Sequence, residues 1–382
     1  MTGSCNLLIF GASTRAAAFS ALRAGLTPTC ADLFADADLE ARCPVIRVPP
    51  DQYPQVFVQV AGGELPGPWI YTGGLEKRPA LVGVIAERRP LWGIGPGELA
   101  RVRPIVSEGP ASTELTAPKV WRKAGIDVPP GRWLLKPLAG AGGTGIRHWF
   151  GSSLDASLLE THYLQEFIEG ESRAAIYVGN GRRAWLVGVT RQLVGEVWLH
   201  AAPFHYCGSV GPLCLEVPLR EAFERIGAKL IDWHRLRGLF GVDCIVRNGI
   251  PWPVEVNPRY TASVEVLEYG AGVPALALHR AVFDPHAPPA KTMTRGTGVV
   301  GKAILFARAP LAFPADGPWT STLHSPGPVE EMPSFADIPH AGERIEARKP
   351  ILTFFTRADS ETACMDQLKA IAADLDHWLF ER

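Results

Sequence analysis

Residues 239–259, LFGVDCIVRNGIPWPVEVNPR, place Asp243, Glu255 and Asn257 on two apolar runs that flank Asn248-Gly249, a strong hairpin signal. Alternate residues of a strand share a face, so Glu255 and Asn257 point one way while Val254 and Val256 point to the core. A carboxylate and an amide oxygen two residues apart can hold one hard cation, and Asp243 on the partner strand can supply a second carboxylate. Oxygen-only ligands favour Mg2+, which keeps its waters and leans on substrate phosphates. The alternative is a solvated hairpin face. Register decides between them. A two-residue loop pairs Arg247 with Ile250 and hence Asp243 with Val254, which turns Asp243 away from Glu255. The three reach one metal only if the connection has an odd loop or a bulge. Pro251 and Pro253 cannot donate to a ladder, so an irregularity belongs there.

A second stretch, LLKPLAGAGGTGIRHW at residues 134–149, sets Lys136 just ahead of four glycines, Gly140, Gly142, Gly143 and Gly145. In a P-loop the lysine follows the glycines, and in a dinucleotide fold the glycines open a helix. Here a short strand, residues 133–136, leads through a glycine turn back to apolar residues. The pattern reads as a hairpin flap with a cation at its base. Only nine of the 38 basic residues are lysines, so Lys119 and Lys136 stand out, although coincidence also fits. An ammonium is a compact point charge that can touch a phosphate in a tight site, whereas a guanidinium is a planar fork.

Elements must position these residues. An apolar run at 5–10, a helix at 14–24 capped by Ser13 and stopped by Gly25, and a strand at 28–32 form a strand–helix–strand opening of a parallel sheet. The turn GASTRA lacks G-x-G-x-x-G, which disfavours a dinucleotide enzyme. A strand at 69–72 runs into residues 71–76, YTGGLE, at a carboxyl edge where such sheets place ligands. A helix at 81–88 and a linker near 104–110 follow. Next come a short helix at 118–125, a strand at 163–168, and a hairpin of 174–178 with 184–191. The turn-rich loop PFHYCGSVGP, 203–212, offers His205 and Tyr206 to a substrate or simply packs. Leu219, Phe223, Ile226, Leu230 and Trp233 recur at helical spacing over 219–237. A strand at 301–307, on which Lys302 is expected to snorkel, and a helix at 361–379 complete the chain.

With 382 residues and 47% hydrophobic content the chain can bury two or three cores. A net charge of −1 argues against a polyanion as main partner. No apolar run reaches the roughly 18 residues of a membrane span, and the first residues lack a secretory pattern. Seven cysteines without a C-x-x-C pair fit reduced thiols in the cytosol, with a metal or disulfide role for Cys207 and Cys214 as the lesser alternative.

In order and spacing, Lys119, then Gly125 and Pro129, then Lys136-Pro137 and the glycines of 140–145 resemble the ATP-grasp superfamily. QEFIEGE at 165–171, Asp243, Glu255 and Asn257-Pro258-Arg259 continue the likeness. The 203–212 loop resembles one seen in carbamoyl-phosphate-synthetase-like carboxylate–amine ligases, relatives of tyramine–glutamate ligase and other ligases of coenzyme biosynthesis. The resemblance implies an α/β ATP-grasp fold. Residues 1–108 would be an N-terminal Rossmann-like (pre-ATP-grasp) αβ domain, 109–290 the ATP-grasp domain with two subdomains, and 291–382 a C-terminal β-rich α+β domain.

The same resemblance implies a cytoplasmic, ATP- and Mg2+-dependent, ADP-forming carbon–nitrogen ligase that makes an amide through an acyl phosphate, in coenzyme (one-carbon carrier) biosynthesis. Lys119 and Lys136 would contact phosphates, and Gly142, Gly143 and Thr144 would close over them. Gln165, Glu166, Phe167 and Ile168 would border the adenine, and Glu171 the ribose. Asp243, Glu255 and Asn257 would hold Mg2+, as two ions, and Lys136 and Arg259 would be catalytic. Arg259 would hold the carboxylate or its developing oxyanion. The expected partners are a small carboxylate and an amine, with no nucleic acid and no membrane, and a homodimer stays open. Two other readings remain: a carboxylase-like enzyme that activates bicarbonate, and a regulatory protein that binds ATP without turnover.

Overall fold

A run such as NLLIF needs burial on both faces, which a parallel sheet between layers supplies. The computed structural model describes residues 5–102, 115–291, 293 and 296–381. In it β1 (Cys5–Phe10) lies parallel between β2 (Leu26–Asp32) and β4 (Trp69–Tyr71), with β3 (Val45–Arg47) outside β2. Leu7 and Ile9 pack with Ala17, Ala18 and Ala21 of the helix Arg15–Arg23, while Leu8 and Phe10 face Phe57 and Trp69. That helix is capped differently from the expectation. Thr14, not Ser13, is the N-cap, and its hydroxyl donates to Asp32 Oδ2 at 2.7 Å instead of accepting from the helix. The linker expected near 104–110 lies outside the described residues.

A small antiparallel sheet follows, built from β5 (Val120–Trp121), β6 (Trp133–Pro137), β7 (Arg147–Trp149) and β8 (His162–Glu166) in the order β5-β8-β6-β7. β5 stands where a short helix was expected. Val120 pairs with Gln165 and Trp121 with Leu164, and Trp121 packs on Trp133, Leu135 and Leu164. Pairing and packing override a weak local preference.

The larger sheet is antiparallel and eight-stranded. Its first strands are β9 (Glu171–Asn180), β10 (Ala184–Val194), β11 (Tyr206–Gly211), β12 (Arg237–Arg247) and β13 (Ile250–Asn257). β14 (Val299–Phe306) continues it, while β15 (Leu311–Ala312) forms a separate ribbon. β16 (Phe335–Ala336) and β18 (Pro350–Ala358) rejoin the large sheet, and β17 (Arg344–Ile345) pairs with β15. The order is β13-β12-β9-β10-β11-β14-β18-β16, so the C-terminal strands extend the central sheet. Six of the ten residues of the turn-rich 203–212 stretch are thus a strand, β11, held between β10 and β14.

Helices cover the sheet at the expected spacings. Phe223, Ile226 and Leu230 of Val217–His234 are buried, as are Cys364, Leu368, Ala372 and Leu375 of Glu361–Phe380. Ser360 caps the latter, accepting from Ala363 N at 3.2 Å. Lys302 does not snorkel. It is 3% exposed, and its Nζ sits 2.8 Å from Glu265 Oε2 on the helix Ala262–Ala271. Arg15 also pairs with Glu265, and its Nε lies 2.9 Å from Asp337 Oδ1. This buried hub ties the N-terminal helix, the helix after the NPR motif and the C-terminal strands together.

Candidate functional site

The register of the β12–β13 hairpin settles whether its carboxylates can cooperate. From the Asn248-Gly249 turn, Arg247 faces Ile250, Val246 faces Pro251 and Cys244 faces Pro253. The next pair is Asp243 with Glu255, so Val254 is an extra residue, a bulge. The bulge brings Asp243 and Glu255 directly opposite each other on one face, as a shared cation site requires. It also turns Val254, expected in the core, into the lining of a cleft. β13 is an edge strand, where two prolines cost no ladder bonds to a further neighbour.

Around this pair the acceptors are met by amides. Gln192 Nε2 donates to Asp243 Oδ1 and Asn257 Nδ2 to Asp243 Oδ2, each at 2.9 Å. Neither donor carries a charge. Burial, and then the nearby Glu255, push the Asp243 carboxyl up to about 7, against the pull of Arg259. Arg259 Nη2 donates to Asn257 Oδ1 at 3.1 Å, and its Nε lies 3.0 Å from Glu76 Oε1. Glu76 is 2% exposed, and Gly74 N donates to its second oxygen at 2.7 Å. Burial alone would raise Glu76, but Arg259 holds it below the ordinary carboxylate range. The YTGGLE stretch therefore reaches the site through an ion pair that fixes the guanidinium.

The facing wall is the flap. Lys136 is 8% exposed, and its Nζ donates to Gln165 Oε1 at 3.0 Å. Tyr206 N donates to Gly142 O at 3.1 Å, which fastens the flap to the strand β11. Gly143 has φ +85, and a Cβ there would come within 1.8 Å of Phe204 O. The glycine is required by the close approach of this protein loop as well as by its left-handed backbone. His148 sits edge-on to Phe167 and to Phe204, with centroids 5.2 and 5.3 Å apart.

These walls enclose a cleft of about 280 Å³. It gathers Lys136, Gly142, Gly143, Gln165, Glu166, Phe167, Ile168, Asp243, Glu255, Asn257 and Arg259 from the sequence expectations. Three expected residues do not line it. Lys119 is exposed at its side chain, while its backbone is bonded both ways to Glu166. Thr144 is exposed on the flap turn, and Glu171 pairs with Arg173 outside the cleft. Gln165 lines it, but both its polar atoms are engaged within the protein: Nε2 donates to Val254 O at 3.2 Å. Sequence reasoning missed Lys77, Ser172, Gln192 and Ser263, which also line the cleft, whereas Glu76 and Phe204 belong to the 71–76 and 203–212 stretches it had offered. Gln192 follows Thr190-Arg191 on β10, and no local pattern marks it.

A hard dication fits this donor set. Among the described residues no three His, Cys, Asp or Glu side chains cluster, so the candidate centre is two carboxylates and an amide. Asp243, whose carboxyl is pushed up by burial and then by Glu255, is an acid whose charged form an added cation would favour.

Residues 111–263 match the ATP-grasp domain family. An uncharacterized protein of Methanocaldococcus jannaschii is 24% identical over 228 residues, covering 59% of this chain and only 50% of its own length. Among solved structures, the L-amino acid ligase of Bacillus licheniformis is similar with TM-score 0.68 and 16% identity over 98% of both chains. N5-carboxyaminoimidazole ribonucleotide synthetase of Thermus thermophilus gives 0.64 and 13%, over 98% of this chain and 99% of its own. Biotin carboxylase of Campylobacter jejuni gives 0.63 and 13%, over 96% and 90%. At these identities the likeness concerns the fold, which is ATP-grasp: a parallel N-terminal sheet ahead of a large antiparallel one.

Proposed function

We propose, for a chain that carries an ATP-grasp domain, that it is an ATP-dependent, ADP-forming carbon–nitrogen ligase joining a small carboxylate to an amine. The observation that carries this reading is the convergence of Lys136, the Asp243–Glu255–Asn257 set and Arg259 on one cleft. Mg2+, when bound, would balance phosphate charge during phosphoryl transfer. Asp243, Glu255 and Asn257 would hold it, and Asn257 would turn its oxygen from Arg259 toward it.

The apolar residues Ile146, Phe167, Ile168 and Phe204 suit a base, and Lys136 at the foot of the flap suits the phosphates. Arg259, kept charged and aimed by Glu76, would orient a substrate carboxylate for in-line attack on the γ-phosphorus. The flap, pinned to β11, would exclude water from the acyl phosphate until an amine captures it. A cytoplasmic role in coenzyme biosynthesis is the finer reading and rests on the motif resemblance alone. A bicarbonate-activating reaction is the second reading, favoured by the structural likeness to a biotin carboxylase.

The test is ADP release from MgATP, screened against pools of carboxylates and amines, with mass spectrometry of the product. We expect ADP and phosphate to form only with a carboxylate present, and hydroxylamine to trap a hydroxamate. Formation of AMP and pyrophosphate would overturn the ligase reading. Release driven by bicarbonate alone would move it to the second.

A further inference from the structure

The bulge that aligns the metal-binding candidates has a second consequence on the other side of the cleft. Val254 is the residue it ejects from the pairing, and the carbonyl of Val254 accepts from Gln165 Nε2 at 3.2 Å. The other end of the same amide, Oε1, accepts from Lys136 Nζ at 3.0 Å. Gln165 is 3% exposed and Lys136 8%, so both bonds are shielded from water. Gln165 lies on β8 and Lys136 on β6, both in the small sheet, whereas Val254 lies on β13 of the large one. One side chain thus spans the two sheets and ends on the flap cation.

We propose that Gln165 is a positioning residue: it does not recognise the nucleotide base but holds the Lys136 ammonium in line with the cleft, anchored to the bulge that also sets the Asp243–Glu255 pair. The inference rests on the ATP reading of the cleft and adds a part to it. A lysine side chain has about four rotatable bonds and loses much freedom when fixed. A buried acceptor at 3.0 Å restricts Nζ before a phosphate arrives, so less ordering is left for binding. An amide suits the task because its carbonyl accepts from the ammonium while its NH2 donates to a backbone carbonyl. A carboxylate at this position would neutralise the lysine and would have no donor for Val254.

A double-mutant cycle separates this role from direct contact and from a merely structural one. The four proteins are the wild type, Gln165→Met, Lys136→Met and the double variant; methionine keeps the length and removes the polar bonds. Calorimetric titration with MgADP is expected to show about 10-fold weaker binding for Q165M in the wild-type background, the scale of a hydrogen bond to a charged group. In the Lys136→Met background the same change should alter affinity by less than about 2-fold. An equal loss in both backgrounds would mean that Gln165 meets the nucleotide itself or acts through the fold, and would overturn the proposal. So would wild-type affinity in Q165M.

Urea unfolding of the same four proteins, without nucleotide, reads the link independently. The double variant should lose clearly less stability than the two singles added together, and additive losses would again overturn it. If the wild type fails to bind MgADP, the ATP reading itself has failed, while the unfolding cycle still decides whether Gln165 holds Lys136.

Discussion

Two clusters of buried charge share the helix Ala262–Ala271, and they are built in opposite ways. In the hub, Arg15 and Lys302 face Glu265 and Asp337, with every carboxylate close to a cation. Burial alone would raise Glu265, but Arg15 and then Lys302 hold it down at about 2. In the cleft, which the first residues of the same helix line, the oxygens of Asp243 accept only from neutral amides and face Glu255. Burial and that neighbour lift Asp243 to about 7. Both clusters are costly to bury. The hub pairs Glu265 and Asp337 with cations of the protein, so it can serve the fold alone. Asp243 is held by neutral donors, and its charged form would be favoured by an added cation.

The largest effect expected from this contrast is on stability at the hub. Glu265→Ala takes the buried Lys302 out of its ion pair and leaves Arg15 to Asp337 and Asp38, and it should cost about 3–5 kcal/mol, read from urea unfolding. A loss below about 1 kcal/mol would mean that the hub is not the closed cluster described here.

The cleft should respond in activity instead. Lys136→Met is expected to lower ADP release at saturating ATP by at least ~100-fold, the scale of one lost electrostatic donor at a transition state. It should lose much less stability than Glu265→Ala. Near-normal turnover would remove Lys136 from the chemistry and leave the cleft without its cation.

The smallest effect concerns pH and sharpens the contrast further. The folded-state pKa of Asp243 lies above its unfolded value of about 4, so the native protein holds the extra proton between those values. Its contribution to stability is present below about 4 and is lost as pH rises through about 7. Asp243→Asn should therefore raise the urea midpoint at pH 8 and flatten its pH dependence across that window. Mg2+ should erase the same dependence in the wild type. A midpoint unchanged by the substitution at every pH would show that the fold does not raise the Asp243 carboxyl.

The sequence by itself named many of the residues that line the cleft and their order along the chain. The strand and turn signals around Lys136, the NG hairpin and the NPR motif are local, because each depends on a few neighbouring residues and their spacing. The need for an irregularity near Pro251 and Pro253 was also legible, since a two-residue turn fixes parity and only a bulge restores a shared face. What the sequence left open was where long-range contacts fall. Val120 and Trp121 became a strand because Gln165 and Leu164 lie opposite them, 45 and 43 positions away by their numbers.

Tertiary structure alone decided three further matters. Glu76 lies 183 positions before Arg259 by their numbers, and only the packing of the N-terminal sheet against the cleft brings a carboxylate to that guanidinium. Lys302 looked like a snorkelling cation on an apolar strand until Arg15, Glu265 and Asp337 met around it. Gln165, expected beside a base, turns inward because Lys136 and the bulged Val254 offer it an acceptor's and a donor's partner at once. A side chain's type and its place on a strand are written locally. Its bonding partner is chosen by which distant residues the fold brings within about 3 Å, a choice that local propensity does not encode.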